Sequence, residues 1–196
     1  MMADDTIGLM NHLGIEKAHI LGVSMGGMIA QEIAINYPDR VNKLVLGCTY
    51  ARRDEISGFS PIVSEAISVY YKSPRNVASL RRLVNVILDS SFNKMSYRAL
   101  ALPVMKAAIN LSALDGFVEQ LDAVLAHDAA ERLKAIKSPT LVIAGTDDRV
   151  IKPSSSNVIA NLVLEAKLVM VKGGSHGFSG EMSNEFNRTI LDFLRS

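Results

Sequence analysis

The sequence has little that points to an unusual partner or compartment. A single cysteine in 196 residues, Cys48, leaves no internal disulfide to form and fits a reducing compartment. Neither sign of charge is in excess. With 21 basic and 20 acidic residues the net charge is +1, which indicates no face for nucleic acid or an anionic membrane. No His/Cys group has metal-ligand spacing, so neither a metal nor another cofactor is expected. No apolar run approaches the length of a membrane span. The start, Met1-Met2-Ala3-Asp4-Asp5, has neither the basic nor the apolar region of a secretory signal, and a cytoplasmic location is the expectation. Repeats, charge blocks and low-complexity tracts are lacking too. Apolar side chains are plentiful, at 48% of residues, enough for one sizeable core. Cys48 follows the run Leu44-Val45-Leu46-Gly47 and reads as a buried small hydrophobe.

The most informative stretch is Gly22-Val23-Ser24-Met25-Gly26. The short run Ala18-His19-Ile20-Leu21 before it is strand-like. After it, Met28, Ile29, Ile33 and Ala34 recur at helical spacing until Pro38. Gly-x-Ser-x-Gly between a strand and a helix is a nucleophile elbow, in which a sharp turn projects the Ser24 hydroxyl out of the sheet. Such a turn brings backbone so close that glycine is expected on both sides, at Gly22 and Gly26. The N–H of Met25 then becomes an oxyanion-hole donor by position.

Two further polar residues follow strands. The β-branched run Thr140-Leu141-Val142-Ile143-Ala144 ends at Gly145 and reads as a buried parallel strand, with Asp147 and Asp148 just beyond it. Leu168-Val169-Met170-Val171 ends in Gly173-Gly174-Ser175, with His176 next. Ser, Asp and His thus each fall past the C-terminal end of a strand, the edge at which open α/β sheets bind ligands. His176 is the candidate general base, and the candidate acid is one of the two adjacent aspartates. His12 and His19 read as surface residues. His127-Asp128 reads as a hydrogen-bonded link between the helical insertion and the core, or as a helix-end pair.

The chain resembles the α/β-hydrolase superfamily, and within it the lid-bearing esterase, enol-lactonase and haloperoxidase-like branch. The residues that carry the resemblance are Gly22 to Gly27, Ala30-Gln31 and Tyr37-Pro38-Asp39-Arg40-Val41. Others are Ile136 to Gly145, Asp148 and Gly173-Gly174-Ser175-His176. The order Ser, Asp, His is that of this superfamily, and its Gly-x-x-Asp spacing places the acid at Asp148 rather than Asp147. The resemblance implies a catalytic triad Ser24, Asp148, His176. It also implies a mostly parallel sheet of about four strands flanked by helices. Residues 1–51 and 134–196 form the core, and 52–133 form a helical lid. The insertion reads as helical throughout, with stripes at Ile62, Ala66, Val69, Tyr70, then at Val77, Leu80, Leu83, Val84, Ile87. Leu100, Val104, Ala107, Ala108 and finally Phe117, Leu121, Val124, Leu125 continue the pattern.

The departure lies in front of Ser24. The family has about four strands before its elbow, whereas only one helix and one strand fit here, and no His-Gly pair stands there to supply a second oxyanion donor. The expectation is a truncated α/β-hydrolase fold whose elbow strand has a bare edge, covered in a homo-oligomer. Implied is a serine hydrolase that cleaves small or medium acyl esters or lactones. The alternative is a non-catalytic or impaired product, since losing one oxyanion donor typically costs about 10²–10³ in rate.

Overall fold

A computed structural model describes residues 2–72, 76–99, 103 and 114–196. Its frame is α1 (Met2–His12), β1 (Ala18–Val23), α2 (Met25–Asn36) and β2 (Val41–Gly47). The helices α3 (Pro61–Lys72), α4 (Val77–Ser91) and α5 (Leu114–Ala126) follow. Then come β3 (Thr140–Gly145), α6 (Ser154–Leu162), β4 (Lys167–Val171), α7 (Phe178–Glu181) and α8 (Ser183–Arg195). Among the described residues the sheet has four strands, all parallel, in the order β1-β2-β3-β4.

The position of each strand explains its composition. β3 is flanked on both sides and all six of its residues are buried, which is why it is apolar without alternation. β1 lies at the edge and its burial alternates. Ile20 packs into the cluster under α1 and α2, while Leu21 points to the opposite face and stays 48% exposed. The sheet is covered on both faces. Ile7, Ala30, Ile33 and Ile159 from α1, α2 and α6 meet Leu44, Leu46 and Val142 on one side. Phe178, Phe186, Ile190 and Phe193 from α7 and α8 meet Val45, Leu141 and Ile143 on the other. Each buried Val, Leu, Ile or Phe side chain among these contributes about 1.5–3 kcal/mol relative to exposure. A third cluster joins α3, α4 and α5 to Met28, Tyr50, Val150 and Ile151.

Helix ends follow local chemistry. Gly14 takes φ 67° after α1, so that its N–H reaches Asn11 O and that of Ile15 reaches Met10 O. Asp4 and Asp5 sit in the first turn of α1, and the face they precede buries Ile7 and Met10 but leaves Leu13 exposed.

Three expectations change. The stretch between β2 and β3 is not helical throughout. Residues 51–60 are irregular, because Asp54 Oδ1 accepts the N–H groups of Ile56 and Ser57, both at 2.8 Å, and Gly58 adopts φ 107°. Ala130–Ala135 is a 3₁₀ helix. In α3 the buried stripe is Val63, Ala66, Ile67 and Tyr70, one position on from the expected start, and Ile62 is exposed. In α4 Leu80, Leu83 and Val84 are buried but Val77, at the first position, is exposed. The expected stripe at Leu100, Val104, Ala107 and Ala108 lies outside the described residues. No helix among the described residues is long and apolar enough to cross a membrane.

Candidate active site

Ser24 occupies the N-cap position of α2, where a serine hydroxyl ordinarily accepts an N–H from the first turn. Here it makes no such bond. The backbone is turned to φ 56°, ψ −124°, a left-handed conformation that costs about 1–2 kcal/mol for a residue with a Cβ. The Ser24 N–H donates to Gly47 O at 2.8 Å, and Gly27 N–H donates to Ser24 O at 2.9 Å. The main chain of the elbow is therefore tied to β2 and α2, while among the described residues the hydroxyl makes no hydrogen bond. Met25 opens α2, so its N–H has no preceding helical carbonyl to bond.

The glycine requirement differs from the expectation. A Cβ on Gly22 would lie 2.1 Å from Gly26 O, so Gly22 is obligatory. A Cβ on Gly26 would meet nothing within 4 Å. The second close contact is at Gly27, where a Cβ would come within 2.7 Å of the Thr49 side chain. Gly26 contributes its carbonyl to the tight approach, not its lack of a side chain.

The candidate acid and base meet beyond β3 and β4. His176 Nδ1 lies 2.8 Å from Asp148 Oδ2, with both side chains largely buried. The other carboxylate oxygen, Oδ1, accepts from Val150 N–H at 2.8 Å and Ile151 N–H at 2.9 Å. An ionised carboxylate only accepts, so Nδ1 carries a proton in this contact, and in the neutral imidazole Nε2 then presents a lone pair. Asp147 is exposed; its Oδ1 accepts from Thr146 Oγ1 at 2.8 Å. Of the two aspartates, Asp148 is the one that contacts His176. The two loops are brought together by a glycine-on-glycine approach, since a Cβ on Gly145 would lie 2.0 Å from Gly174 O. Asp147 N–H also donates to Gly174 O at 2.9 Å. Among the described residues no hydrogen bond joins the Ser24 hydroxyl to His176; the two sit past the ends of β1 and β4 at the same sheet edge.

Cys48 is buried at the end of β2 as expected, but its place beside Asp148 and His176 was not foreseen. It follows β2 with φ 45°, and its sulfur, an Asp148 oxygen and a His176 nitrogen lie within 4.8 Å of one another. Burial, and then the Asp148 charge, push the thiol pKa far up, so it is a protonated neighbour of the pair. Its position at a strand end on the same edge was the available signal.

His127 forms the predicted link. Its Nε2 lies 3.4 Å from Oε1 of the fully buried Gln31 in α2, whose Nε2 donates to Tyr50 O at 3.1 Å. Burial pushes the His127 pKa down, against the opposing pull of Glu32. Glu32 is held below the usual carboxylate range by its hydrogen bonds from Arg132 at 2.6 and 2.7 Å. His12 and His19 are exposed. A cavity of about 340 Å³ lies between α1, α2 and α5, lined by Met25, Met28, Ile29, Val124 and His127 among others. It touches the elbow through Met25 and includes none of Ser24, Asp148 and His176.

Comparison with known proteins places these features. The family model for the alpha/beta hydrolase fold matches residues 1–181. A 2-hydroxy-6-oxo-6-phenylhexa-2,4-dienoate hydrolase of Comamonas testosteroni is 33% identical over 195 residues, covering 96% of this chain and 66% of that protein. The chain thus spans just under two thirds of the length of this curated relative. The solved enol-lactonase from Burkholderia xenovorans LB400 superposes with a TM-score of 0.82 at 27% identity, over 99% of this chain and 72% of that one. A meta-cleavage product hydrolase from Pseudomonas fluorescens IP01 superposes with a TM-score of 0.76 at 26% identity, over 98% and 70%.

Proposed function

The chain belongs to the α/β-hydrolase family, and from that premise we propose that it is a serine hydrolase that cleaves small or medium apolar esters or lactones. The observation that carries this reading is the Asp148–His176 bond at the sheet edge where a strained, uncapped Ser24 stands. In the proposed reaction His176 Nε2 takes the Ser24 proton and the Ser24 oxygen attacks the carbonyl carbon. Asp148 holds the Nδ1–H tautomer and stabilises the imidazolium. The developing oxyanion is met by the Met25 N–H. Collapse expels the alcohol, which takes the proton from His176. Water activated by the same imidazole then frees the acid from the acyl-enzyme. The apolar side chains Met25, Met28, Ile29 and Val124 that line the cavity touching the elbow support an apolar acyl group.

A second reading has the same residues cleave a C–C bond, and the 33% identity to a dienoate hydrolase favours it. The two separate in one experiment. p-Nitrophenyl acetate and butyrate, a γ-lactone and 2-hydroxy-6-oxo-6-phenylhexa-2,4-dienoate are offered to the protein in parallel. Ester or lactone turnover well above that of the dienoate is the expected result. The opposite ranking transfers the function to C–C hydrolysis. No turnover of any of them supports the impaired product.

We also propose that the β1 edge is covered by a second copy of this chain in a homo-oligomer. A bare edge beside an exposed Leu21 supports this, because unpaired strand groups next to apolar surface attract partners. Leu21→Lys tests it better than a change at Ile20, which packs in the core. Light scattering after size exclusion is expected to give an oligomer for the wild type and a smaller species for the variant. A soluble wild-type monomer at every concentration rules the oligomer out.

A further inference from the structure

The loop that carries His176 is fastened to the end of α4 by a set of bonds that the reaction scheme does not use. Gly177 N–H donates to Ser91 O at 2.7 Å, and the ring of Phe92 fills the space where a Gly177 Cβ would stand, 2.2 Å away. Asn93 Nδ2 donates to Asp147 O at 3.0 Å, so the same short segment also holds the loop of the acid. Both oxygens of the Glu181 carboxylate are committed. Oε1 accepts the Lys94 N–H at 2.7 Å, and Oε2 accepts the hydroxyl of Ser175. Ser175 is fully buried and immediately precedes His176. The Lys94 ammonium donates to the Glu181 carbonyl, closing the ring from the other side.

We propose that Glu181 is a positioning residue for the catalytic base, fixing the direction of His176 by holding Ser175 against the end of α4. This rests on the reading of His176 as the base. A buried hydroxyl and a backbone N–H meet one carboxylate, so its removal leaves both unpaired and frees the residue before His176 to rotate. The imidazole then loses its alignment with Asp148 on one side and Ser24 on the other. The effect falls on the chemical step, because Glu181 follows His176 by five residues and, among the described residues, reaches it through Ser175.

The experiment compares Glu181→Ala, Glu181→Gln and Ser175→Ala with the wild type in two readouts. One is kcat and KM separately for p-nitrophenyl butyrate. The other is the low-field proton resonance of His176 Nδ1–H, which needs no turnover. Glu181→Ala is expected to lower kcat about ten- to hundredfold with KM little changed, as misplaced catalytic groups do, and to broaden the resonance. Glu181→Gln keeps an acceptor for Lys94 N–H and a partner for Ser175, and is expected to recover most of both. Ser175→Ala, which removes one bond and no charge, gives a smaller loss in the same direction and covers the case in which Glu181→Ala fails to fold. An unchanged kcat and resonance in Glu181→Ala and Ser175→Ala overturns the proposal. So does a loss that Gln does not relieve. A wild type with the resonance but no turnover of p-nitrophenyl butyrate defeats the ester-hydrolase reading, and the resonance alone then decides the role of Glu181.

Discussion

Ser24→Ala abolishes labelling by an active-site phosphonate and removes p-nitrophenyl butyrate turnover, with an expected loss on the order of 10⁶ in kcat, as deletion of a triad nucleophile gives. The protein is expected to stay folded, since the Ser24 hydroxyl makes no cap bond and alanine keeps the Cβ. Ser24→Gly gives the same loss of activity for a different structural price: at φ 56° it relieves the left-handed strain and is expected to stabilise the protein by about 1 kcal/mol. Thermal melts beside the labelling assay check both. Unchanged turnover in Ser24→Ala, with labelling at another residue, removes the nucleophile role.

The second large effect is at the acid. Asp148→Asn is expected to lower kcat by about 10⁴, the consequence of offering the imidazole the wrong tautomer. An asparagine amide can turn an N–H toward Nδ1 while its oxygen still accepts from Val150 and Ile151, so geometry survives and proton placement does not. Asp147→Asn is expected to change kcat only a few-fold, because that side chain is exposed and accepts from Thr146 rather than touching His176. Steady-state kinetics on both variants decide between them. A larger loss at Asp147 would falsify the assignment of Asp148.

The elements that place the site were legible because their signals are local. The elbow reads from five consecutive residues, the buried strand β3 from an unbroken apolar run, and the loop glycines from their position after strands. The acid was narrowed to Asp148 only by family resemblance; in the structure Asp148 is the aspartate that contacts His176. Facing was harder. In α3 both Ile62 and Val63 are apolar, and the choice between them depends on Tyr50 and α4, which the helix period does not encode. Gly26 was assigned a steric role that belongs to Gly27, because the contact comes from Thr49 beyond another strand. Asn93, Lys94 and Glu181 gave no signal: Lys94 and Glu181 are separated by 87 residues, and none of the three lies in a motif. Composition could announce that a helical segment lies between β2 and β3, but not which of its ends would hold the loop of the base.

The glycine contact between Gly145 and Gly174 has a consequence for the order of events in synthesis. It makes the acid–base pair the product of one β-α-β unit, with partners only 28 residues apart in the chain. The serine belongs to a different unit, at the far side of the sheet, which leaves the ribosome first. For the whole of elongation between β1 and β4 the hydroxyl is an ordinary alcohol, strained or not, with nothing to take its proton. On the proposed mechanism, reactivity therefore arrives as a late step, when β4 docks on β3 and the loop after it closes. On that mechanism, a nascent chain that stalls earlier carries a serine that cannot attack.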